Sequence, residues 1–189
     1  IGVKKIRRIG HSMEFEQIRD YVMGDDIRTL NWKATARKNQ LMVNSFTDEK
    51  SQQVYCIVDK SRVMKMPFNG LSLLDYAINA SLVLSNVALL KQDKAGLISF
   101  AEDIADFLPA SGKATQMNRI LEILYRQKTR YLESDFEKLY TLIRKRITQR
   151  SMVVLFTNFE SLTALHRQLP YLRNIARNHL LMVVFFFYL

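Results

Sequence analysis

The first group of residues that could do chemistry lies in the stretch YVMGDDIRTLNWKATAR, residues 21–37. It places the adjacent carboxylates Asp25 and Asp26 close to Trp32, the only tryptophan of the chain. Paired aspartates after a glycine hold Mg²⁺ in template-dependent polymerases, where a hydrophobic β-hairpin surrounds them and further acidic motifs assist. The flanking residues IRDYVM and IRTLNW do not provide such a hairpin. The pair therefore does not indicate a polymerase site.

A second group of polar residues follows predicted strands. Asp59 and Ser61 come directly after the apolar run VYCIVD, and Thr115 ends the loop SGKAT. Ligands of open α/β sheets bind at the carboxyl ends of the strands. Carboxylate and hydroxyl oxygens are ligands that suit Mg²⁺ or Mn²⁺. We therefore predict a metal site formed by Asp59, Ser61 and Thr115, with Thr115 assigned from its loop position alone.

This arrangement resembles the metal-ion-dependent adhesion site of von Willebrand factor A domains, whose pattern is Asp-x-Ser-x-Ser with a distant threonine and aspartate. Val63 stands at the second serine position, and Asn158 stands where the later aspartate is expected. One carboxylate is left to hold the ion, so the site is predicted to be degenerate and to bind Mg²⁺ or Mn²⁺ weakly. The alternative is a loop in which Asp59 only accepts hydrogen bonds from backbone amides.

The sequence contains no complete pattern of an established catalytic site. GHSME, residues 10–14, begins like a nucleophile elbow but has Glu14 in place of the second glycine. Neither a Gly-x-Gly-x-x-Gly motif nor a phosphate-binding P-loop is present. We therefore expect a protein that is not an enzyme and has no firmly implied cofactor. A metal-dependent hydrolase centred on Asp59 is the enzymatic alternative.

Composition sets wider limits on function. The 189 residues are 48% hydrophobic and 24% charged, which is ordinary for a soluble globular protein. Cys56 is the only cysteine, which excludes a disulfide framework. The formal net charge is +10, and part of the excess lies in the segment 113–150. A solvated helix surface explains this charge, and the alternative is a domain that binds nucleic acid or anionic membranes through that segment.

Elements that could position these residues follow from about residue 53. Short apolar runs alternate with segments of helical spacing, which predicts an α/β fold with an open, mostly parallel sheet and helices on both faces. The segment 102–109 is predicted to be an edge strand or hairpin partner, and Pro170 is predicted to divide the last helical segment in two. Residues 1–50 form an irregular, partly β extension, and 51–189 form the sheet domain. LLMVVFFFYL, which ends the chain, reads as a buried strand, so we expect that domain to be truncated.

The segment MEFEQIRDYVMGDDIRTLNWKATAR, followed by LMVNSFTDEKSQQVYCIVDKS, resembles a bacterial family described as domain of unknown function 58. The matching residues are Glu14, Phe15, Arg19, Tyr21, Gly24, Asp25, Asp26, Arg28, Asn31, Trp32, Lys33, Ala36 and Arg37. In that family this segment precedes a von Willebrand factor A-like domain, which agrees with the order of elements given above. The matching segment is long and its motifs are specific. The resemblance covers residues 12–110 most strongly.

The resemblance also implies a function. Family members act with MoxR-type AAA+ ATPases, as adaptors in complex assembly or in envelope and stress functions, and have no assigned catalytic activity. Many carry transmembrane helices before this domain. This chain would then be the cytoplasmic part of a parent anchored in the inner membrane, with membrane contact only through that anchor and with nucleic acid not expected as a partner.

The family segment can be read in two ways. Its interleaved charges favour arginine–carboxylate pairs that fix an irregular backbone, and Trp32 would pack the extension on the sheet domain. The functional alternative is that the same residues dock the protein partner, because tryptophan and arginine are common at interface hot spots. The residues concerned are Glu14, Arg19, Asp25, Asp26, Arg28, Trp32, Lys33 and Arg37.

Overall fold

The structure is a computed structural model that describes residues 13–48 and 51–185. The chain divides into two compact units, Ile1–Lys50 and Ser51–Leu189. In the first unit, strand β1 (Met13–Asp20) pairs antiparallel with β2 (Met42–Asp48). A 3-10 helix (Ile27–Thr29) and helix α1 (Trp32–Lys38) connect them. The amino-terminal segment is thus partly β, as predicted.

The second unit is an α/β domain built on a five-stranded sheet. Its elements in chain order are β3 (Gln53–Asp59), a 3-10 helix (Arg62–Lys65), the short strands β4 (Pro67–Phe68) and β5 (Leu71–Ser72), α2 (Leu73–Leu90), β6 (Lys94–Phe100), β7 (Ile104–Ser111), α3 (Gln116–Tyr125), α4 (Phe136–Arg146), β8 (Met152–Phe156), α5 (Leu162–Asn178) and β9 (Leu180–Val184).

The sheet has the strand order β7-β6-β3-β8-β9. Strands β6, β3, β8 and β9 run parallel, and β7 pairs antiparallel with β6 at one edge. One core cluster packs α2 and α3 on one face, and a second packs α4 and α5 on the other. The predicted fold class is therefore confirmed. The continuous apolar runs of β3, β6 and β8 reflect strands that are covered by helices on both faces. The last run was predicted to be a buried strand, which is wrong, because β9 lies at the edge of the sheet and its alternate residues are exposed.

Helix α2 begins with the capping box that the sequence indicates, in which Ser72 and Asp75 bond each other's backbone amide. Small side chains such as Ala77 and Ser81 face the sheet and are buried, whereas Val83 and Leu90 are exposed. The apolar composition of α2 favours burial on most sides, but its small residues form the packing face and several of its large side chains are exposed. In the described chain α2 is also the one helix long and apolar enough to span a membrane, a property that core helices share.

Helix α5 is continuous from Leu162 to Asn178, with Pro170 inside it. The prediction of two short helices is therefore wrong. Pro170 lies on the exposed side of the helix, where water can bond the carbonyl that lacks a partner. Leu172 and Ile175 continue the buried face past the proline, so packing holds both halves on one axis.

Candidate functional site

Asp59 lies at the carboxyl end of β3, the central strand of the sheet. Its register partner on β6 is Phe100, the last residue of that strand, and the neighbouring Val58 pairs with Phe156, the last residue of β8. We call this end of the sheet the carboxyl edge, and the end where the parallel strands begin the amino edge. Loops after β3 and β8 and before α4 converge on Asp59, as expected for the ligand-binding end of an open α/β sheet.

The Asp59 carboxylate is buried, with 1% of its surface exposed, and accepts hydrogen bonds from three directions. One oxygen accepts from the backbone N–H of Ser61 at 2.8 Å and from the Ser134 hydroxyl at 2.5 Å. The other accepts from the Thr157 hydroxyl at 2.6 Å. Burial raises the pKa of Asp59, and these hydrogen bonds oppose that rise. Asp59 therefore ties together three loops that are far apart in sequence.

Two oxygens next to this carboxylate are buried and form no hydrogen bond of ordinary geometry with another described residue. They are Oγ of Ser61 and Oδ1 of Asn158. Both residues line, together with Asp59, a cavity of about 60 Å³ at the carboxyl edge. Buried polar atoms are nearly always bonded, so these two oxygens have capacity left for a water molecule or a ligand in the cavity, and the Ser61 hydroxyl also lies close enough to Asp59 to oppose the rise of its pKa.

The structure separates Thr115 from the other predicted ligands. Because β7 runs antiparallel, its end at Ser111 pairs with Ala95 at the beginning of β6. Gln116, next to Thr115, donates its side-chain amide to the Ala95 carbonyl. Thr115 thus lies at the amino edge and cannot join Asp59. Ser134 supplies the hydroxyl from the third loop instead.

Sequence reasoning missed Ser134 and Thr157. Thr157 stands directly after β8, next to Asn158, so its position after a strand was a usable signal. Ser134 carries a weaker signal, because its loop precedes a helix instead of following a strand. It immediately precedes Asp135, whose carboxylate caps α4. The same turn that starts the helix therefore presents the serine hydroxyl to Asp59.

Exposed ion pairs surround the mouth of the cavity. Arg62 makes a two-pronged contact with Glu160 at 2.9 and 3.0 Å. Arg167 pairs with Glu133 at 3.0 Å. These four side chains also line the cavity, so charges of both signs alternate around its opening. Such a rim is chemically suited to charged groups of a protein partner.

Lys60 points away from the cavity, as alternation along an extended backbone requires. It is 8% exposed, and burial lowers the pKa of its amine. Its Nζ donates to Oε1 of Gln127 at 3.3 Å. The Gln127 amide in turn donates to Asp106, which also accepts from Ser99. This network joins α3 to the β6–β7 pair and has a structural role.

The oxygens around Asp59 fit a hard cation in type. The unbonded Ser61 and Asn158 oxygens, the Asp59 carboxylate and the Ser134 hydroxyl are ligands that Mg²⁺ or Mn²⁺ accepts. Val63 adds no oxygen, and in the described parts of the chain no group of three His, Cys, Asp or Glu residues could hold a metal. With a single carboxylate, the site would hold such a cation weakly.

The family segment of the first unit forms turns and caps. Asp25 binds the Arg19 guanidinium through both carboxylate oxygens, at 2.6 and 2.7 Å, and accepts from the Val22 amide. Asp26 caps the 3-10 helix, and Asn31 caps α1 while its amide bonds Asn44 on β2. The two aspartates therefore have different structural roles. Asp25 forms an ion pair with Arg19, and Asp26 caps the 3-10 helix.

The remaining residues of the segment are directed to the surface. Trp32 is 69% exposed, and Arg28, Lys33 and Arg37 are exposed as well. The side chain of Glu14 lies outside the described residues. Within its own unit Trp32 is therefore not a core residue, and its packing on the sheet domain stays a prediction.

Comparison with known proteins identifies a family, a relative of known sequence and two solved structures. A family model described as "Protein of unknown function DUF58" matches residues 17–185. The uncharacterized protein YeaD of Bacillus subtilis (strain 168) is 34% identical over 50 residues, which is 26% of this chain. That segment spans only 13% of the length of YeaD.

Two solved structures share the fold. An aerotolerance-related membrane protein from Bacteroides fragilis NCTC 9343 is 16% identical with a TM-score of 0.50, covering 70% of this chain and 66% of that one. The SpRpn10 VWA domain is 7% identical with a TM-score of 0.50, covering 72% of this chain and 75% of its own. At these identities the likeness concerns the fold alone.

Proposed function

The chain belongs to the DUF58 family, and from that premise we propose that its von Willebrand factor A-like unit is a non-catalytic protein-interaction module. Its binding surface is the carboxyl edge around Asp59. The observation that carries the proposal is the pair of buried, unbonded oxygens of Ser61 and Asn158 beside that carboxylate. Both oxygens can accept a further hydrogen bond, and a partner that inserts a polar group into the cavity would supply it.

The chemistry of the edge supports binding more than turnover. Asp59 is the one carboxylate inside the cluster, and each of its oxygens already accepts a hydroxyl hydrogen bond. The glutamates at the rim are held by arginines. A hydrolase would need a group that is free to act as a base on water. We propose that this unit has no turnover of its own.

The partner that fits best is a MoxR-type AAA+ ATPase, as the family resemblance implies. The chain would act as its adaptor in complex assembly or in envelope and stress functions, as the soluble part of a membrane-anchored parent. A divalent cation at Asp59, if bound, would supply a positive charge and an open position for a carboxylate of the ATPase. Ser61 and Asn158 would orient that contact, and the paired charges of the rim would require complementary charges of both signs on the ATPase.

A pull-down of a MoxR-type ATPase from the same organism tests this proposal. Arg167→Glu places the opposite charge at the rim without touching the core, and we expect it to reduce capture at least about tenfold. Arg173→Glu is the matched control, because Arg173 is exposed on the same helix and does not line the cavity. Equal capture by both variants, or no capture by the wild-type chain, would contradict the proposal.

The same assay distinguishes direct contact from contact through a cation. Capture that requires Mg²⁺ or Mn²⁺ and disappears in chelator would assign the cation role to the Asp59 cluster. Capture that is indifferent to chelator but sensitive to Arg167→Glu would leave the rim as the binding surface. A turnover screen with either metal should show no difference between the wild-type chain and Asp59→Asn.

A further inference from the structure

The amino edge of the sheet gathers cations from separate parts of the chain. The exposed cations there are Lys91, Lys94, Lys113, Arg144, Lys145, Arg146, Arg150 and Arg177. The sequence segments that carry them (91–95, 111–115, 144–152 and 177–180) contain one carboxylate, Asp93. No ion pair between these cations and another described residue is found. Within these four segments, positive charge therefore greatly exceeds negative charge.

Hydrogen bonds show that these segments meet at one place. The Gln52 backbone accepts from the Lys94 amide and donates to the Asp93 carboxylate. Gln53 bonds Gln149 at 2.8 Å, and the Leu180 amide donates to the Ser151 carbonyl. Helices that follow parallel strands run back along the sheet, so α2, α4 and α5 all end at this edge. The clustering of charge is thus a product of the topology, which the linear sequence does not display.

Part of this charge has a structural explanation. Arg144, Lys145 and Arg146 form the last turn of α4, and Arg177 lies in the last turn of α5. Cations there interact favourably with the helix dipole. Lys94, Lys113 and Arg150 lie outside helices, however, and gain nothing from a dipole. The helix dipole therefore does not explain why these three cations lie at the amino edge.

Apolar side chains are exposed at the same edge. Leu90 ends α2 with 75% of its surface exposed, and Leu180 begins β9 with 60% exposed. A mixture of cations and protruding leucines is typical of surfaces that lie on anionic lipid, where the cations contact headgroups and the leucines enter the interface. Exposed aromatic side chains, which would stack on nucleic-acid bases, lie outside these segments in the described chain.

We propose that the amino edge docks on an anionic membrane surface. This goes beyond contact through an anchor in the parent protein, because the sheet domain itself would touch the lipid. Since the two edges are opposite ends of the same strands, docking would turn the Asp59 cluster away from the membrane, where a partner can reach it. The proposal is independent of the partner bound at the carboxyl edge.

Vesicle co-sedimentation of the whole chain tests the proposal. The probe is phosphatidylcholine vesicles with phosphatidylglycerol, compared with pure phosphatidylcholine, at low and physiological salt. We expect binding only with phosphatidylglycerol and weaker binding as salt rises. The triple variant Lys145→Glu, Arg146→Glu, Arg150→Glu should bind at least about a hundredfold more weakly.

A charge-matched control separates the edge from net charge. The triple variant Lys65→Glu, Arg126→Glu, Lys128→Glu changes the net charge equally at exposed positions outside the amino-edge segments, and it should keep most of the vesicle binding. Lys91→Glu, Lys94→Glu, Lys113→Glu repeats the test without altering the end of α4. Equal losses in all three variants, no binding to anionic vesicles, or binding to duplex DNA in place of vesicles would overturn the proposal.

Discussion

The two ends of the sheet differ in how their charges are arranged. At the carboxyl edge, Arg62, Arg130 and Arg167 each pair with a glutamate, and one carboxylate, Asp59, is buried beneath them. At the amino edge, the four segments that carry the cations contain a single carboxylate, Asp93. The carboxyl edge holds its charges in a defined arrangement around a small cavity, whereas the amino edge presents a diffuse positive field.

This difference indicates two kinds of recognition. Paired charges and unbonded buried oxygens favour a partner of defined shape, since each group must be met at a fixed position. Uncompensated surface cations attract any extended anionic surface without requiring shape. The same sheet can thus serve a specific contact at one end and an electrostatic one at the other.

The largest effect is expected at the carboxyl edge. Asp59→Ala leaves the Ser61 amide and the Ser134 and Thr157 hydroxyls without their acceptor, so the free energy of unfolding should fall by about 3–5 kcal/mol. Asp59→Asn keeps one carbonyl oxygen and should cost less. Urea unfolding followed by circular dichroism measures both. A loss below about 1 kcal/mol for Asp59→Ala would show that the hydrogen bonds do not hold the loops together.

The two edges should also respond oppositely to pH. Burial raises the pKa of Asp59 from its ordinary 3.8, so its contribution to stability is complete below pH 3.8 and is lost as pH rises through the folded pKa. At the amino edge His179 is buried and accepts from the Ser151 amide at 3.4 Å. Burial lowers its pKa from 6.5, so its contribution is complete above pH 6.5 and is lost as pH falls through the folded pKa.

Unfolding curves between about pH 4 and about pH 7 test this contrast. The stability of the wild-type chain relative to Asp59→Asn should decline as pH rises, and its stability relative to His179→Gln should decline as pH falls. If both differences had the same sign of slope, the assignment of the two groups would be wrong.

The smallest effect on stability is expected from the amino-edge cations. Lys113→Gln and Arg150→Gln remove exposed charges that have no carboxylate partner among the described residues. Relief of repulsion should leave the unfolding midpoint unchanged or slightly higher. Arg62→Gln, which breaks the Glu160 pair, should lower the midpoint slightly. A lower midpoint for the amino-edge variants would mean that their charges are compensated after all.

Local sequence patterns were sufficient to predict most of the fold. The apolar run at 54–59 and the capping box at Ser72 each indicate their element without long-range information. The division of the last helix at Pro170 was predicted wrongly, because the packing of Leu172 and Ile175 outweighs the hydrogen bond that the proline removes. The exposed side of α2 was missed because composition does not reveal which face consists of small residues.

The candidate site was predictable only in part. Asp59 and Ser61 follow a strand, so their place at the carboxyl edge could be inferred from the sequence. Thr115 was assigned to the same edge, but the antiparallel pairing of β7 carries its loop to the other end of the sheet. Ser134 and the cluster of amino-edge cations depend on which distant segments meet, which no local pattern encodes.

The central claim is that the unbonded oxygens at Asp59 serve a ligand, and Ser61→Ala tests it most directly. Ser81→Ala is the matched control, because its hydroxyl is also buried but lies in α2, away from the carboxyl edge and beside the Cys56 thiol. Removing either hydroxyl should change the free energy of unfolding by no more than about 1 kcal/mol. Titration of the MoxR-type ATPase should then show affinity reduced at least about tenfold for Ser61→Ala and unchanged for Ser81→Ala. Unchanged affinity in a folded Ser61→Ala chain would contradict the claim.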